Sequence, residues 1–343
     1  MKPANRRTLI GGAFTAAFAL ALTGLQPANA APQFVMKFGT ATYKESQHQF
    51  ILFYKEALEK ASGGRIEVQV YPRSELGPIP REIDGLQLGT QEAYIGPADF
   101  YIGVDPRYGV FSTPTLFKNN DHASATVMDP ELNKYILHMG DSKGLVGIAT
   151  FGLGASNYAA KKPIMTLADF KGKKLRVNAT AMEREKMRRL GATAVPMPLS
   201  EVLPSLQRGV IDGTMSGTSI FVAFKFNDVV KVITKTNDTM LVSLAVVSKV
   251  WFDKLPADLQ KMVIDVGHET QLKTHLWEQN FTKGLAKKWA QMGGTIHELS
   301  PQDHAKMIDL LKTVGDDTSK NEPAVHAFLE KVHGVAAKYA DKY

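Results

Sequence analysis

One arginine stands at the end of a short predicted strand, where its charge could bind an anion. Residues 174–177 (KLRV) follow a glycine-bearing turn at 169–172 (DFKG), and their two apolar positions favour a strand. In open α/β sheets, ligands bind outside the carboxyl ends of the strands. The planar guanidinium of arginine matches a carboxylate through two parallel hydrogen bonds. The chemistry predicted for Arg176 is therefore the binding of an organic anion.

The residues around Arg176 predict the elements that position it. A helix with an apolar face ends at Gly191, and residues 194–197 (AVPM) return as a strand. A second helix, capped by Ser200 and ended by Gly209, precedes a strand at 210–213 (VIDG). This order predicts βαβ units. Asn178, two residues after Arg176, either offers a donor and an acceptor to the same ligand or serves as a helix-cap or turn residue.

Enzyme signatures are missing from the sequence. The nine histidines are scattered, without the His-Glu-x-x-His pattern of a zinc helix. Residues 152–154 (GLG) start like a phosphate loop but lack its third glycine, and Ser216 does not stand in a G-x-S-x-G nucleophile elbow. We therefore predict that the protein is not an enzyme and uses neither a metal nor a cofactor. The alternative is an exported hydrolase or lyase on a two-lobed scaffold.

The N-terminal 30 residues have the features of an export signal. Three cationic residues precede an apolar run at 9–25, and small residues at 28–30 (ANA) predict cleavage after Ala30, by the general secretory or the twin-arginine route. Without 1–30, the formal charge falls from +7 to +4, which does not indicate a nucleic-acid partner. Cysteine is absent, and the most apolar later stretch, 240–252, is too short to span a membrane.

The order of elements predicts two α/β lobes. Residues 31–152 plus about 241–281 form lobe I, and 153–240 plus about 282–343 form lobe II with the C-terminal helices. The strand predicted at 240–249 crosses back to the first lobe. Apolar residues at mostly fourfold spacing between Pro256 and Met292 predict one helix of about 37 residues, ~55 Å long. The alternative is two helices broken near Gly267-His268.

Several spaced motifs carry a family resemblance. Residues 169–177 (DFKGKKLRV), 190–202 (LGATAVPMPLSEV) and 206–213 (LQRGVIDG) resemble the core motif of the DctP-type periplasmic solute-binding subunits of TRAP transporters. Segments at 61–68, 74–77, 88–90 and 111–117 agree with it in the same order. The resemblance implies a two-lobed periplasmic binding protein fold, with lobes joined by crossing strands and a long spanning helix. It argues against a related receptor that serves an ABC transporter or a sensor.

The resemblance also implies roles for particular residues. Arg176 matches the family arginine that binds the substrate carboxylate. Ser156 and Ser216 stand where many members carry a second arginine and an asparagine, and they add no charge. Other residues fall where family ligand contacts arise, although aromatic residues at such positions are more often packing residues than ligand contacts: Tyr43, Asp99, Phe100, Tyr101 and Phe221.

These observations together predict a periplasmic receptor. It would close two lobes around a small organic acid and deliver the acid to the small and large membrane subunits of a TRAP transporter. We expect a monomer. The identity of the acid does not follow from the sequence.

Overall fold

The computed structural model describes residues 31–178 and 180–343, so the export signal predicted at 1–30 lies outside the described residues. Strands and helices alternate along most of the described chain. Its strands are β1 (Phe34–Thr40), β2 (Ile66–Tyr71), β3 (Ala93–Pro97), β4 (Leu145–Ala160), β5 (Lys174–Val177), β6 (Thr193–Pro196), β7 (Gly213–Gly217), β8 (Val232–Lys235), β9 (Met240–Ser248) and β10 (Thr295–Glu298). Its α-helices are α1 (Ser46–Ala61), α2 (Ile79–Leu88), α3 (Asn120–Val127), α4 (Pro130–His138), α5 (Ala181–Arg189), α6 (Leu199–Arg208), α7 (Thr218–Ala223), α8 (Lys249–Phe252), α9 (Ala257–Phe281), α10 (Leu285–Gln291), α11 (Pro301–Leu311), α12 (Val314–Ser319) and α13 (Pro323–Tyr339).

The strands form a mixed sheet with a parallel set at each end. Its main path runs β2-β1-β3-β9-β4-β7-β5-β6, with β8 paired to β4 and β10 paired to β8. β1 is parallel to β2 and β3, and β5 is parallel to β6 and β7. β9 is antiparallel to both β3 and β4. We call the part with β1, β2 and β3 the first lobe and the part with β5, β6, β7, β8 and β10 the second lobe.

β4 and β9 join the two lobes. The first part of β4, Leu145 to Ala155, pairs with β9, whereas its last five residues pair with β7. The register of the β4–β9 pair shifts between Gly152 and Gly154, which marks a bulge. The boundary predicted at 152–153 thus falls inside a continuous strand that belongs to both lobes. The predicted crossing strand corresponds to β9.

The βαβ units around Arg176 form as the sequence predicts, with two corrections. β5 covers the predicted residues, and α5 is followed by Gly191 in the left-handed region (φ 74°). α6 begins at Leu199, so Ser200 is not its cap. Pro198 holds the N-cap position with extended backbone (φ −66°, ψ 155°) and offers no side-chain hydrogen bond. The next strand, β7, begins at Gly213, three residues later than predicted.

An aromatic cluster fills the core of the first lobe beneath α1 and α9. The rings of Phe50 and Phe151 stack at 5.7 Å, and Phe38 meets Tyr54 edge-on at 5.6 Å. Tyr54 is fully buried, and its hydroxyl donates a hydrogen bond to the carbonyl of Val263 on α9 at 3.0 Å. That bond satisfies the polar end of a ring buried in apolar surroundings. α1, α9 and the sheet are therefore fixed to one another.

The long helix is shorter than the predicted 37 residues. α9 has 25 residues, and a 3-10 turn at Thr282–Gly284 separates it from α10. The Thr282 hydroxyl donates to the carbonyl of Glu278 at 3.0 Å, a local bond of the kind that bends helices. The helical backbone continues through the turn, and α10 packs on α7 and β10 of the second lobe.

Gly267 lies inside α9, and the helix does not break there. A Cβ at this position would lie 2.3 Å from the carbonyl oxygen of Ile148 on β4. Glycine is therefore needed because the helix backbone approaches the strand backbone closely. The alternative of two helices broken near Gly267-His268 is wrong.

The C-terminal helices do not all lie on the second lobe. α11 packs on α5, whereas α13 packs on α3 and on the 3-10 helix Pro106–Ser112 of the first lobe. Residues 32–343 form one compact unit. The division of the chain into two domains with the stated boundaries stays a prediction. None of the described helices is both long and apolar enough to cross a membrane.

Substituting two helical glycines tests the close approach of α9 to β4. Gly267→Ala should lower the free energy of unfolding by about 1–3 kcal/mol, because the added methyl group must displace backbone. Gly334→Ala in α13 should raise the free energy of unfolding by about 0.5–1 kcal/mol, since a Cβ added there would have no other atom within 4 Å and alanine favours helix. Urea unfolding followed by circular dichroism measures both. Equal or greater stability of Gly267→Ala would contradict this packing.

Candidate functional site

A small cavity lies where the two lobes meet. It leaves about 50 Å³ for the centres of water molecules. Residues of both lobes and of the joining strands β4 and β9 line it. The lining residues are Ala41, Thr42, Glu45, Gln47, Ile79, Pro97, Phe100, Leu153, Ser156, Arg176, Asn178, Leu199, Met215, Ser216, Gly217, Ser219, Ile220 and Leu241.

Arg176 reaches this cavity from β5 and is itself almost fully buried. Its Nε donates to the carbonyl of Met197 at 2.9 Å, and its Nη1 donates to the carbonyl of Met215 at 3.4 Å. These bonds come from the loop after β6 and from β7, the two strands that flank β5. A guanidinium has five N–H groups. The two bonds fix the plane of the group and leave further donors for a ligand.

Burial disfavours the charged form of Arg176. Removal from water lowers the pKa of its guanidinium to about 10, while the carboxylates of Glu183 and Asp99 act in the opposite direction. The side chain still carries a positive charge at neutral pH. A buried positive charge attracts an anion more strongly than an exposed one, because less water screens it.

Asn178 connects the second lobe to Asp99 of the first. Its Nδ2 donates to Asp99 Oδ2 at 2.7 Å, and the Ser112 hydroxyl donates to the same oxygen at 3.0 Å. Asn178 lines the cavity, whereas Asp99 lies behind it. Burial, and next the nearby charge of Glu183, raise the pKa of Asp99 to about 7. This carboxyl therefore changes charge close to neutral pH.

Ser156 and Ser216 both line the cavity, from adjacent strands. Ser156 lies opposite Gly217 in the β4–β7 pair, and its neighbour Asn157 lies opposite Ser216. The Ser156 side chain is fully buried, and its Oγ has no hydrogen-bond partner among the described residues. A buried hydroxyl without a partner costs roughly 1–3 kcal/mol. A ligand that supplied the partner would remove that cost.

Of the two neighbouring aromatic candidates Phe100 and Tyr101, one lines the cavity and the other does not. Phe100 lines the cavity. Tyr101, the next residue of the 3-10 helix Ala98–Gly103, is fully buried in the core, and its hydroxyl donates to the carbonyl of Leu244 at 3.2 Å. Its ring lies 5.8 Å from that of Tyr108. Successive residues of a helical turn face different sides, so Tyr101 does not reach the cavity when Phe100 does.

Tyr43 and Phe221 also lie outside the cavity lining. Tyr43 packs against the His48 ring at 5.2 Å and beneath the Arg73 guanidinium at 5.6 Å. Phe221 is fully buried with its ring 5.3 Å from that of Phe226, and its neighbour Ile220 takes the position in the cavity wall.

Sequence reasoning missed the polar residues of the loop after β1. Thr42, Glu45 and Gln47 line the cavity, and Glu45 also caps α1 by accepting from the backbone N–H groups of Gln47 and His48, each at 3.0 Å. The Thr42 hydroxyl donates to the same Glu45 oxygen. Burial raises the pKa of Glu45. The sequence signal that could have identified Glu45 is its place in the polar stretch just before the amphipathic helix α1, where a capping residue is expected.

A larger groove adjoins the cavity. It has about 740 Å³ for the centres of water molecules and shares Leu153, Gly217 and Ser219 with the cavity wall. Its other polar lining residues include Lys118, Lys235 and Lys283, together with Asp121 and several asparagines. None of the binding residues predicted from the sequence lines it. The buried Arg176 lines the smaller cavity instead.

One group of side chains has the composition of a metal site. Ligand atoms of Asp316, Glu330 and His333 lie within 4.8 Å of one another near the C-terminus, and Asp316 and Glu330 are exposed. Exposed acidic groups are common at protein surfaces without a metal. We assign no function to this group.

The comparison with known families decides the class of protein. The family model of bacterial extracellular solute-binding proteins, family 7 (DctP), matches residues 38–321. The chain belongs to the DctP family. Its members are solute-binding proteins, which confirms the predicted receptor and disfavours the exported hydrolase or lyase. Binding proteins of the DctP family are periplasmic, in agreement with the predicted export.

The chain is similar to individual members of the family over most of its length. It is 31% identical over 333 residues to the C4-dicarboxylate-binding periplasmic protein DctP of Rhodobacter capsulatus, and the match covers 92% of this chain and 95% of the relative. A TRAP solute-binding protein of Shewanella oneidensis with bound succinate has a TM-score of 0.79 at 26% identity, covering 88% and 100% of the two chains. One from Desulfovibrio salexigens with bound orotic acid has a TM-score of 0.82 at 23% identity, covering 89% and 99%. The predicted two-lobed α/β fold is confirmed.

Asp99 gives a prediction about pH. A carboxyl whose pKa is about 7 when folded and near 4 when unfolded makes the free energy of unfolding fall as pH rises between those values. The wild-type protein should therefore lose stability from pH 5 to pH 8. Asp99→Asn should reduce that loss by about 2 kcal/mol.

Urea unfolding at pH 5, 6, 7 and 8 measures the difference. Asp84→Asn, the same change at an exposed position of α2, serves as the control and should keep the wild-type pH profile. An unchanged profile in Asp99→Asn would show that Asp99 does not titrate in this range.

Proposed function

We propose that the protein is the periplasmic receptor of a TRAP transporter and that it binds a small organic acid between its two lobes. The observation that carries this proposal is the buried guanidinium of Arg176, which lines the cavity with N–H groups in excess of its bonds to Met197 and Met215. A carboxylate is the anion whose geometry fits such a group through two parallel hydrogen bonds.

The surroundings of Arg176 support a ligand with negative charge. Its hydrogen bonds go to neutral carbonyls, and the carboxyl of Asp99 bonds to Asn178 and Ser112. A ligand carboxylate would give Arg176 a directly bonded counter-charge in a site with little water. Such charge-assisted bonds are roughly twice as strong as neutral ones.

Relatives of the protein support an acid as the ligand. The relative from Rhodobacter capsulatus is named for C4-dicarboxylates, and the structure from Shewanella oneidensis contains succinate. The 2,3-diketo-L-gulonate-binding protein YiaO of Escherichia coli is 25% identical over 282 residues. These ligands differ in size and in polar groups but share a carboxylate.

Closure of the lobes would supply the signal to the transporter. β4 runs from one lobe to the other, and the cavity is lined from both sides, so a ligand that contacts both lobes would favour the closed form. The small and large membrane subunits would then recognise that form. We propose that the receptor acts as a monomer.

We also propose that residues 1–30 are an export signal, cleaved after about Ala30 by the general secretory or twin-arginine route. Intact-mass measurement of the protein purified from a periplasmic fraction should give the mass of residues 31–343. A periplasmic protein that retains the whole signal would contradict cleavage.

Arg176 provides the test of the binding role. A thermal-shift screen of mono- and dicarboxylates, sugar acids, oxo acids and aromatic acids identifies a stabilising ligand, since ligand at ~100 times its dissociation constant adds ~2.7 kcal/mol. Arg176→Ala should then weaken binding of that ligand roughly 100-fold or more in calorimetric titration. Arg176→Lys should restore part of the affinity, because lysine keeps the charge without the planar fork.

Arg188→Ala is the matched control, since this arginine is exposed on α5 with a side-chain accessibility of 72%. It should bind with wild-type affinity. Unchanged affinity in Arg176→Ala, with the protein folded by circular dichroism, would contradict the proposed role.

A further inference from the structure

The cavity wall contains one basic and one acidic side chain among the described residues. Among the described lining residues, Arg176 is the one with a positive charge and Glu45 is the acidic one. The ligands of the relatives include dicarboxylates. A dicarboxylate in this cavity would have one carboxylate at Arg176 and would need a second partner for the other.

Among the described lining residues, none offers a second positive charge beside Arg176. The side-chain amides of Gln47 and Asn178 already donate to Ser243 and Asp99, and the serines of the wall contribute neutral hydroxyl groups. Glu45 would repel a ligand carboxylate when ionised. Much of the remaining wall is apolar. It consists of Ala41, Ile79, Pro97, Phe100, Leu153, Leu199, Met215, Ile220 and Leu241. Burying a carboxylate without a counter-charge is costly, so such a wall selects against a second carboxylate.

Glu45 is held in place and cannot easily move away from a ligand. One oxygen accepts hydrogen bonds from the backbone N–H groups of Gln47 and His48 and from the Thr42 hydroxyl. The side chain is therefore part of the α1 cap as well as of the cavity wall. The carboxyl group of Glu45 is therefore held at one position in the first-lobe wall of the cavity.

Ser156 indicates that the ligand has a polar group besides its carboxylate. Its hydroxyl is fully buried, lines the cavity and has no hydrogen-bond partner among the described residues. The backbone N–H of Ser156 already donates to the carbonyl of Thr239 at 2.8 Å, so the strand is fixed and the hydroxyl remains for a ligand. A serine hydroxyl can donate to an oxo group or accept from a hydroxyl.

The volume of the cavity limits the size of the ligand. The 50 Å³ open to water centres holds roughly three to five water molecules at ~10–15 Å³ each. At ~30 Å³ of liquid volume for each water, this corresponds to an acid of about four to six carbon atoms. A larger sugar acid would require a wider cavity.

We infer that the ligand is a small monocarboxylic acid with one hydroxyl or oxo group and an otherwise apolar chain. Arg176 binds the carboxylate, Ser156 bonds to the hydroxyl or oxo group, and the apolar wall contacts the chain. This inference rests on the proposed function, because it takes the cavity at Arg176 to be the binding site. It separates the protein from its dicarboxylate-binding relatives.

Matched acids of equal chain length test the inference. The four-carbon set is butyrate, 2-hydroxybutyrate, 2-oxobutyrate and succinate, and the five-carbon set is pentanoate, 2-hydroxypentanoate, 2-oxopentanoate and glutarate. Calorimetric titration of the mature protein should show a hydroxy or oxo monocarboxylate binding at least 10-fold more tightly than the dicarboxylate of the same length. The unsubstituted acids should bind with intermediate affinity.

Ser156→Ala tests the second contact. It should reduce the affinity for the preferred hydroxy or oxo acid about 3- to 10-fold more than the affinity for the unsubstituted acid. Ser248→Ala removes another fully buried hydroxyl without a partner, on β9 away from the cavity lining, and should leave both affinities unchanged. An equal effect of Ser156→Ala on both acids would overturn the assigned contact.

The outcomes also separate this inference from the proposed function. If succinate or glutarate binds as tightly as the monocarboxylates and Arg176→Ala abolishes that binding, the monocarboxylate inference is wrong and the receptor function stands. The same holds if only a larger acid binds through Arg176. If Arg176→Ala leaves the binding of every acid unchanged, the proposed site itself is wrong.

Discussion

The burial of one positive charge organises the second lobe. The guanidinium of Arg176 loses most of its contact with water, and this costs free energy unless protein groups replace the lost hydrogen bonds. Met197 and Met215 supply carbonyl oxygens from the two strands that flank β5. The site therefore depends on the relative positions of β5, β6 and β7. The carboxylates of Asp99 and Glu183 offset part of the cost of burying the charge.

The second constraint is continuity between the lobes. β4 belongs to both parts of the sheet, and its register shift at Gly152 to Gly154 lies beside the cavity residues Leu153 and Ser156. The position where the chain passes from one lobe to the other is thus also a wall of the cavity. A change in the angle between the lobes would alter the cavity directly. This arrangement gives a physical route from ligand binding to the closed form that a membrane partner could recognise.

Much of the fold followed from the sequence, because apolar periodicity and glycine positions reflect local backbone geometry. β5 has the predicted bounds, and Arg176 stands at the predicted strand end. Side chains in loops were harder to place. Tyr43 was a predicted ligand contact, but its ring packs against His48 and Arg73, whereas Thr42 and Glu45 line the cavity. The apolar wall, assembled from distant segments, has no local signature. The length of α9 was overestimated because the 3-10 turn keeps the helical periodicity.

The most direct test of the central claim is a crystal structure of the protein with its bound acid. The account predicts that a ligand carboxylate lies in the cavity between the lobes, with its oxygens about 2.7–2.9 Å from guanidinium nitrogens of Arg176. Met197 and Met215 should still accept from the same side chain. A ligand bound elsewhere, or one in this cavity whose carboxylate does not contact Arg176, would contradict the account.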